Sequence, residues 1–358
     1  MPRKKIFEGS IVRLQILNEK GKVDNKIGVP KGLTEDVLKD MLRQMIFLRK
    51  FDEKALALQR TGRLGTYASL IGQEASQIGT AFAMGDKDWL VPSFRDQGLM
   101  MMQGVPGSQI LAYWGGDERG SKFDEEVRCL PVCVPVGSQC CHAVGIAMAM
   151  SKQGEDAAVV ACIGDGGTSE GDFHEACNFA SLHKAPFVLL IQNNQWAISV
   201  PRNRQCSADT LAQKAFGYGL DGIQVDGNDV MAVYQAMTDA LQKAKTEGVG
   251  AIIEAHTYRM EDHTTADDAR KYRPPEELEE WKPKDPISRL EKYLRSKKLI
   301  TDAEIAEMEK EAADRVAKEV ADREALGKPD PLDTFRYLYQ EMPPHLEEQM
   351  KEMEESLS

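Results

Sequence analysis

Apolar positions fall into two kinds of run along this chain. Ala157-Ala158-Val159-Val160-Ala161-Cys162-Ile163 and Phe187-Val188-Leu189-Leu190-Ile191 are almost unbroken. Strands buried on both faces of a parallel sheet have that pattern. Between them Phe173, Ala176, Cys177 and Ala180 recur at helical spacing, behind the helix-starting side chains of Thr168-Ser169-Glu170-Gly171-Asp172, and Pro186 stops the helix. The stretch predicts one βαβ unit. In a right-handed crossover both strands deliver their carboxyl ends to the same sheet edge, where open α/β sheets bind ligands. Gly222–Gly227, a helix through about Lys245 and Ala251–Ala255 predict a second such unit.

The remaining pattern surrounds these units. Residues 1–33, with scattered apolar positions and the turn formers Gly21, Asn25, Gly28 and Pro30, read as an N-terminal arm laid over the domain or a neighbour. Thr34-Glu35-Asp36 cap a helix through about Gln59, whose apolar face holds Val37, Leu38, Met41, Leu42, Met45, Ile46 and Leu48. Arg49, Lys50, Asp52, Glu53 and Lys54 read as its solvated side. Gly72-Gln73-Glu74-Ala75 opens an apolar helix through Met84, with Gln73 and Glu74 placed for capping and dipole matching. Trp89-Leu90-Val91 is a strand ended by Pro92. Residues 115–128 read as a flexible loop, and Ala143–Met150 as a helix of small residues. From Asp285 onward, helices rich in Glu and Lys form a tail that wraps a partner or stands in solvent. The fold class is α/β: a mostly parallel sheet flanked by helices, in an α/β domain over 34–284, with the arm before it and the tail at 285–358.

The chain has 358 residues, 42% of them hydrophobic, enough for a large core. Its net charge of −12, without a basic stripe, argues against nucleic acid and anionic membrane as partners. No secretory signal or membrane-length apolar run is evident, so a cytoplasmic bacterial or archaeal protein is expected. Seven cysteines, several inside apolar segments, read as reduced thiols. Cys129, Cys133, Cys140, Cys141 and His142 lack the spacing of a paired zinc ribbon. Core packing explains them instead, with His142 as a near-core histidine.

Candidate chemistry sits where the strands end. Gly164-Asp165-Gly166-Gly167 follows the first buried strand and Asn193-Asn194 the second, so Asp165 and Asn194 meet at one edge. Mg²⁺ takes one or two such side-chain oxygens and fills its shell with phosphate and water. Free amides after Gly167 suit the phosphate itself. A diphosphate held through a metal is implied. Arg95, in Pro92-Ser93-Phe94-Arg95, suits bidentate phosphate contacts. His263 is the one histidine of the polar loop that follows Thr257-Tyr258-Arg259. An imidazole there can donate, accept or stabilise negative charge.

Gly-Asp-Gly followed nearly thirty residues later by Asn-Asn resembles the thiamine diphosphate motif. From about residue 35 to the C-terminus the chain resembles the α subunits of thiamine-dependent 2-oxo acid dehydrogenases. The resemblance implies the thiamine diphosphate-binding fold, with thiamine diphosphate and Mg²⁺ as cofactors. It places Asp165, Asn194 and the Trp196 carbonyl on the metal. Phe94, Arg95, Gly137, Ser138, Cys140, Gly166, Gly167, Arg259 and His263 fall at the cofactor, with His263 also catalytic. Phe94 stands where the family has Tyr, which removes a hydroxyl and one phosphate hydrogen bond. Thr264 holds the place of a regulatory Ser and is expected to be unmodified.

The thiamine motif occurs once, and no pyrimidine-binding half with its activating Glu is present. In the family that half belongs to a β subunit, and two α with two β make the enzyme. The implied activity is oxidative decarboxylation of pyruvate, with acyl transfer to the lipoyl group of an acyltransferase component. The region Tyr337–Gln349 resembles bacterial pyruvate dehydrogenases and favours pyruvate over branched-chain 2-oxo acids. Two rivals are a phosphate- or nucleotide-binding module without catalysis and a self-contained thiamine enzyme of transketolase type.

Overall fold

The computed structural model describes residues 3–357. Its strands in chain order are β1 (Arg13–Leu14), β2 (Trp89–Val91), β3 (Val159–Gly164), β4 (Phe187–Asn193), a small antiparallel pair β5 (Trp196–Ala197) and β6 (Val200–Pro201), then β7 (Asp221–Asp226) and β8 (Ala251–His256). The main sheet has six strands in the order β1-β7-β8-β4-β3-β2, every pairing parallel. Its helices are α1 (Glu35–Arg60), α2 (Glu74–Ala83), α3 (Gln97–Met102), α4 (Gly107–Trp114), α5 (Ser138–Gln153), α6 (Gly171–Leu182), α7 (Arg202–Gln205), α8 (Val230–Glu247), α9 (Pro275–Trp281), α10 (Pro286–Ser296), α11 (Asp302–Ala325), α12 (Asp333–Arg336) and α13 (Pro344–Leu357). No helix among the described residues is long and apolar enough to cross a membrane.

Why β3 and β4 are apolar throughout is visible in how they alternate. Val160, Cys162, Val188 and Leu190 face a core shared with α1, α2, α8 and α11. Val159, Ala161, Ile163, Phe187, Leu189 and Ile191 face the opposite core, shared with α5 and α6. Successive side chains point to opposite faces, so covering both faces makes every position apolar. Because Gly164 pairs with Gln192, Asp165 and Asn193-Asn194 leave adjacent strands side by side.

The N-terminal arm lies over its own domain. β1 pairs with β7, and the Asp229 carboxylate accepts from the Ile16 and Leu17 amides, both at 2.6 Å, while also capping α8. The helical tail is different along its length. Met308, Ala312, Val316 and Val320 of α11 form a buried stripe on the α1 side. Lys39 pairs with Glu304 at 2.8 Å and Arg43 with Glu311 at 3.1 Å across that contact. As far as Ala325, then, the tail packs on its own domain through one face. Beyond it α13 buries no residue, and Tyr337, Leu338 and Tyr339 are exposed.

Candidate functional site

A cavity of about 260 Å³ opens at the carboxyl edge of β3 and β4, walled by Asp165, Asn194, Arg95, His263, Gln73 and Trp196. The strand ends place the first two, and the crossovers bring in the others. Gly166 and Gly167 also line it, in a four-residue 3₁₀ turn that precedes α6. The close-packed turn admits no larger residue: a Cβ on Gly166 would lie 2.7 Å from the Ala197 Cβ, and one on Gly167 2.5 Å from the Ile163 side chain. The helix-start amides expected after Gly167 therefore belong to this turn, and α6 itself begins at Gly171.

Three buried polar atoms of this wall have no hydrogen-bond partner: Asp165 Oδ2, Gln73 Nε2 and Gln205 Oε1. Buried polar groups are almost always paired, so such atoms call for a ligand. A lone carboxylate oxygen wants a cation, and a lone amide N–H wants an acceptor. Burial pushes the Asp165 carboxyl up to about 6, with hydrogen bonds from its own and the Gly166 amide, and the charges of Arg259 and Arg202, drawing it partly back. A roomier hollow of about 630 Å³ lies beyond Gln195 and Trp196. Among the described residues none of its lining atoms is buried without a partner, and its Glu254 and Glu277 are satisfied by neighbouring donors. The smaller cavity is therefore the candidate site.

His263 faces it from the long loop after β8. Arg95 Nη2 lies 3.2 Å from His263 Nδ1, and Arg259 Nη1 3.5 Å. Guanidinium groups only donate, so Nδ1 must accept and the ring proton resides on Nε2. Burial, then Arg95 and Arg259, pull the imidazole down to about 4. His263 is thus a neutral donor near neutral pH. Phe94 meets its ring edge-on at 5.8 Å. Arg95 is fixed by the Ser69 carbonyl and, at 2.8 Å, the His263 carbonyl.

The pattern describing the dehydrogenase E1 component family matches residues 42–332. The Bacillus subtilis pyruvate dehydrogenase E1 component subunit alpha is 40% identical over 338 residues, covering 94% of this chain and 91% of that one. The proteins of that name from Staphylococcus epidermidis and Staphylococcus aureus are 39% identical over 337 residues, with the same coverage of 94% and 91%. The chain belongs to the dehydrogenase E1 component family.

In this E1 chain the expected site residues divide into three groups. Asp165, Gly166, Gly167, Asn194, Trp196, Phe94, Arg95 and His263 line one cavity. Arg259 stands behind it, fully buried, holding His263 and bonding the Ile198 carbonyl at 2.9 Å and the Tyr272 hydroxyl at 2.7 Å. Gly137, Ser138 and Cys140 do not reach the lining. The Gly137 amide is occupied by Gln139 Oε1, Ser138 bonds the Pro135 carbonyl, and Cys140 packs in the core. Val136 and Gln139 line the cavity in their place. His142 is exposed on α5, not near the core, because the core stripe of that helix runs through Ala143, Val144 and Ala147.

Two supports of this E1 site lay hidden in polar positions. Gln192, the first polar residue of β4, lines the cavity and accepts from Ser76 and Gln77. An amide directly after the apolar run Phe187–Ile191 was the available signal. Asp52, expected in solvent, is fully buried and accepts from the Tyr67 hydroxyl at 2.9 Å, the Ser69 hydroxyl at 2.5 Å and the Leu70 amide at 3.0 Å. It anchors the segment whose Ser69 carbonyl holds Arg95. Four positions after Leu48, it falls on the apolar stripe of α1, and that spacing was its signal.

Burial raises the Asp52 carboxyl to about 6 against three hydrogen bonds that lower it. A carboxyl raised in the folded state contributes stability below its unfolded pKa and loses it as pH rises through about 6. Between about pH 4 and 6.5 the wild type should therefore lose more stability than Asp52→Asn, by on the order of 2 kcal/mol. Urea melts at the two pH values read this difference; equal losses would count against a buried ionisable Asp52.

Proposed function

We propose that this chain is the α subunit of a pyruvate dehydrogenase, holding thiamine diphosphate through Mg²⁺ and acting only with a β subunit. The observation that carries it is the partnerless Asp165 oxygen beside Asn194 in a cavity that also presents donors for an anion. Asp165, Asn194 and the Trp196 carbonyl would hold the metal, and Arg95 and the Gly166-Gly167 turn the diphosphate. The cofactor, when bound, supplies the electron sink for loss of CO₂ from a 2-oxo acid. The chain's own residues anchor, orient and exclude water. His263, a neutral donor, presents Nε2–H toward the substrate side, and Arg95 and Arg259 keep it neutral.

Relatives named as pyruvate dehydrogenase subunits over nearly the whole chain favour pyruvate over branched-chain acids. Their naming as alpha subunits of an E1 component also supports a partner subunit. With it we propose that a β partner supplies the pyrimidine-binding half and that the acyl group passes to the lipoyl arm of an acyltransferase component, in a cytoplasmic complex. The exposed Tyr337–Tyr339 segment and α13 are the part of the tail available to cover a partner.

Assaying decarboxylation of pyruvate and 3-methyl-2-oxobutanoate, by the chain alone and co-expressed with its β partner, tests this proposal. Turnover of pyruvate by the complex and none by the chain alone is expected. Robust turnover by the isolated chain, or preference for the branched acid, would overturn it. In the complex, His263→Ala should retain cofactor affinity while acyl transfer to lipoyl groups falls about a hundredfold or more, the scale of a lost general acid or base. Normal transfer would remove His263 from the site.

A further inference from the structure

Gln73 immediately precedes α2, where helix capping is the simplest explanation for it. Its side chain makes no capping bond. It is instead fully buried in the cavity wall, with Oε1 accepting from Asn194 Nδ2 at 3.2 Å. The orientation of both amides is dictated from the far end. The Trp196 backbone N–H lies 3.3 Å from Asn194 Oδ1 and can only donate, so that atom must be the oxygen. Asn194 then offers its NH₂ to Gln73, which must answer with its oxygen. Gln73 Nε2 is left at the end of this series of bonds, buried and without a partner.

The backbone holds this arrangement in place. The Gln73 amide donates to the Leu70 carbonyl at 2.9 Å, and its carbonyl accepts from the Ser76 hydroxyl at 2.8 Å. The next residue, Glu74, is clamped by Arg49 at 2.5 Å. A buried amide held this firmly, with one N–H unused, is built for an acceptor that arrives with a ligand. Asn194 Oδ1 keeps a second lone pair beyond its long bond from Trp196, available to a cation.

We propose that Gln73 is a further cofactor-binding and positioning residue. Its Nε2–H donates to an anionic oxygen of the bound diphosphate, and its Oε1 keeps Asn194 turned so that Oδ1 meets the metal. This rests on the assignment of thiamine diphosphate and Mg²⁺ to the cavity.

Calorimetry on the complex with its β partner tests it, titrating thiamine diphosphate at saturating Mg²⁺ and Mg²⁺ at fixed cofactor. Gln73→Met, which keeps length and loses both polar ends, should weaken cofactor binding about tenfold or more and raise the Mg²⁺ needed for half-saturation. A hydrogen bond to a charged group has that scale. Gln73→Glu keeps the acceptor for Asn194 but sets a carboxylate against the diphosphate. It should weaken cofactor binding further while shifting the Mg²⁺ requirement less than Gln73→Met does. Thermal unfolding of the cofactor-free complexes separates a structural role. Gln73→Met also orphans Asn194 Nδ2 and should lower that stability, whereas Gln73→Glu keeps this bond. A cofactor loss therefore counts for Gln73 where the cofactor-free complex stays folded at the titration temperature.

Failure of the wild-type complex to bind thiamine diphosphate would sink the cofactor assignment itself. Wild-type binding matched by Gln73→Met would sink only the role of Gln73. Should Gln73→Met not assemble, Gln73→Glu decides alone: weaker binding upholds the role and unchanged binding overturns it.

Discussion

Asp165→Ala should abolish metal-dependent binding of thiamine diphosphate while leaving the fold intact. Asp165 is 3% exposed, and its Oδ2 meets no donor. The carboxylate's remaining bonds are local, from the Asp165 and Gly166 amides, so the fold loses no more than those. Outer partners of metal ligands already cost about 10–100-fold in affinity when removed, and a carboxylate ligand should cost more. We expect affinity at saturating Mg²⁺ to fall more than about a hundredfold. The isosteric Asp165→Asn should stabilise the ligand-free protein by about 1 kcal/mol or more, since a buried carboxylate with an orphan oxygen is a destabilising feature. Both expectations are read by calorimetry and urea unfolding of one pair of variants. Loss of stability in Asp165→Asn would mean that the carboxylate is structural.

Arg49→Met should be the most damaging change to the fold. Arg49 bridges the fully buried Glu74 at 2.5 Å and Asp285 at 2.8 Å, tying α1 to the starts of α2 and α10. Burial raises the Glu74 carboxyl and Arg49 opposes that. Without the guanidinium, Glu74 becomes a buried charge with no counter-ion, a loss of about 3–5 kcal/mol. The pair itself adds little net stability, because desolvation offsets most of its attraction. The double variant Arg49→Met with Glu74→Gln should therefore recover much of the loss. Urea unfolding of the single and double variants measures this coupling; a single-variant loss below about 1 kcal/mol would show that water reaches Glu74.

The βαβ heart of the molecule was legible because both-face burial leaves an unmistakable apolar run, and the sheet edge then follows from strand polarity. Asp165 and Asn194 were legible for the same reason: they come directly after such runs. Residues at the site by tertiary approach were harder. Gln139 and Cys140 are neighbours at the start of α5, and helix rotation alone decides that Gln139 lines the cavity while Cys140 enters the core. Asp52 was obscured by its charge, since composition favours solvent and only the stripe position favours burial. The tail misled for a related reason. α11 is rich in Glu and Lys, but its apolar stripe at four-residue spacing is narrow and packs toward α1, with α4 beside it.

A cation shared by Asp165 and Asn194 is what every functional statement above requires. The most direct test is anomalous diffraction from the αβ complex crystallised with Mn²⁺ in place of Mg²⁺ and with thiamine diphosphate. The account predicts a single strong peak at about 2.1 Å from an Asp165 carboxylate oxygen and from Asn194 Oδ1, the spacing of octahedral oxygen coordination. A cofactor seated in the cavity with the metal elsewhere, or Asp165 bonded only to water, would contradict it.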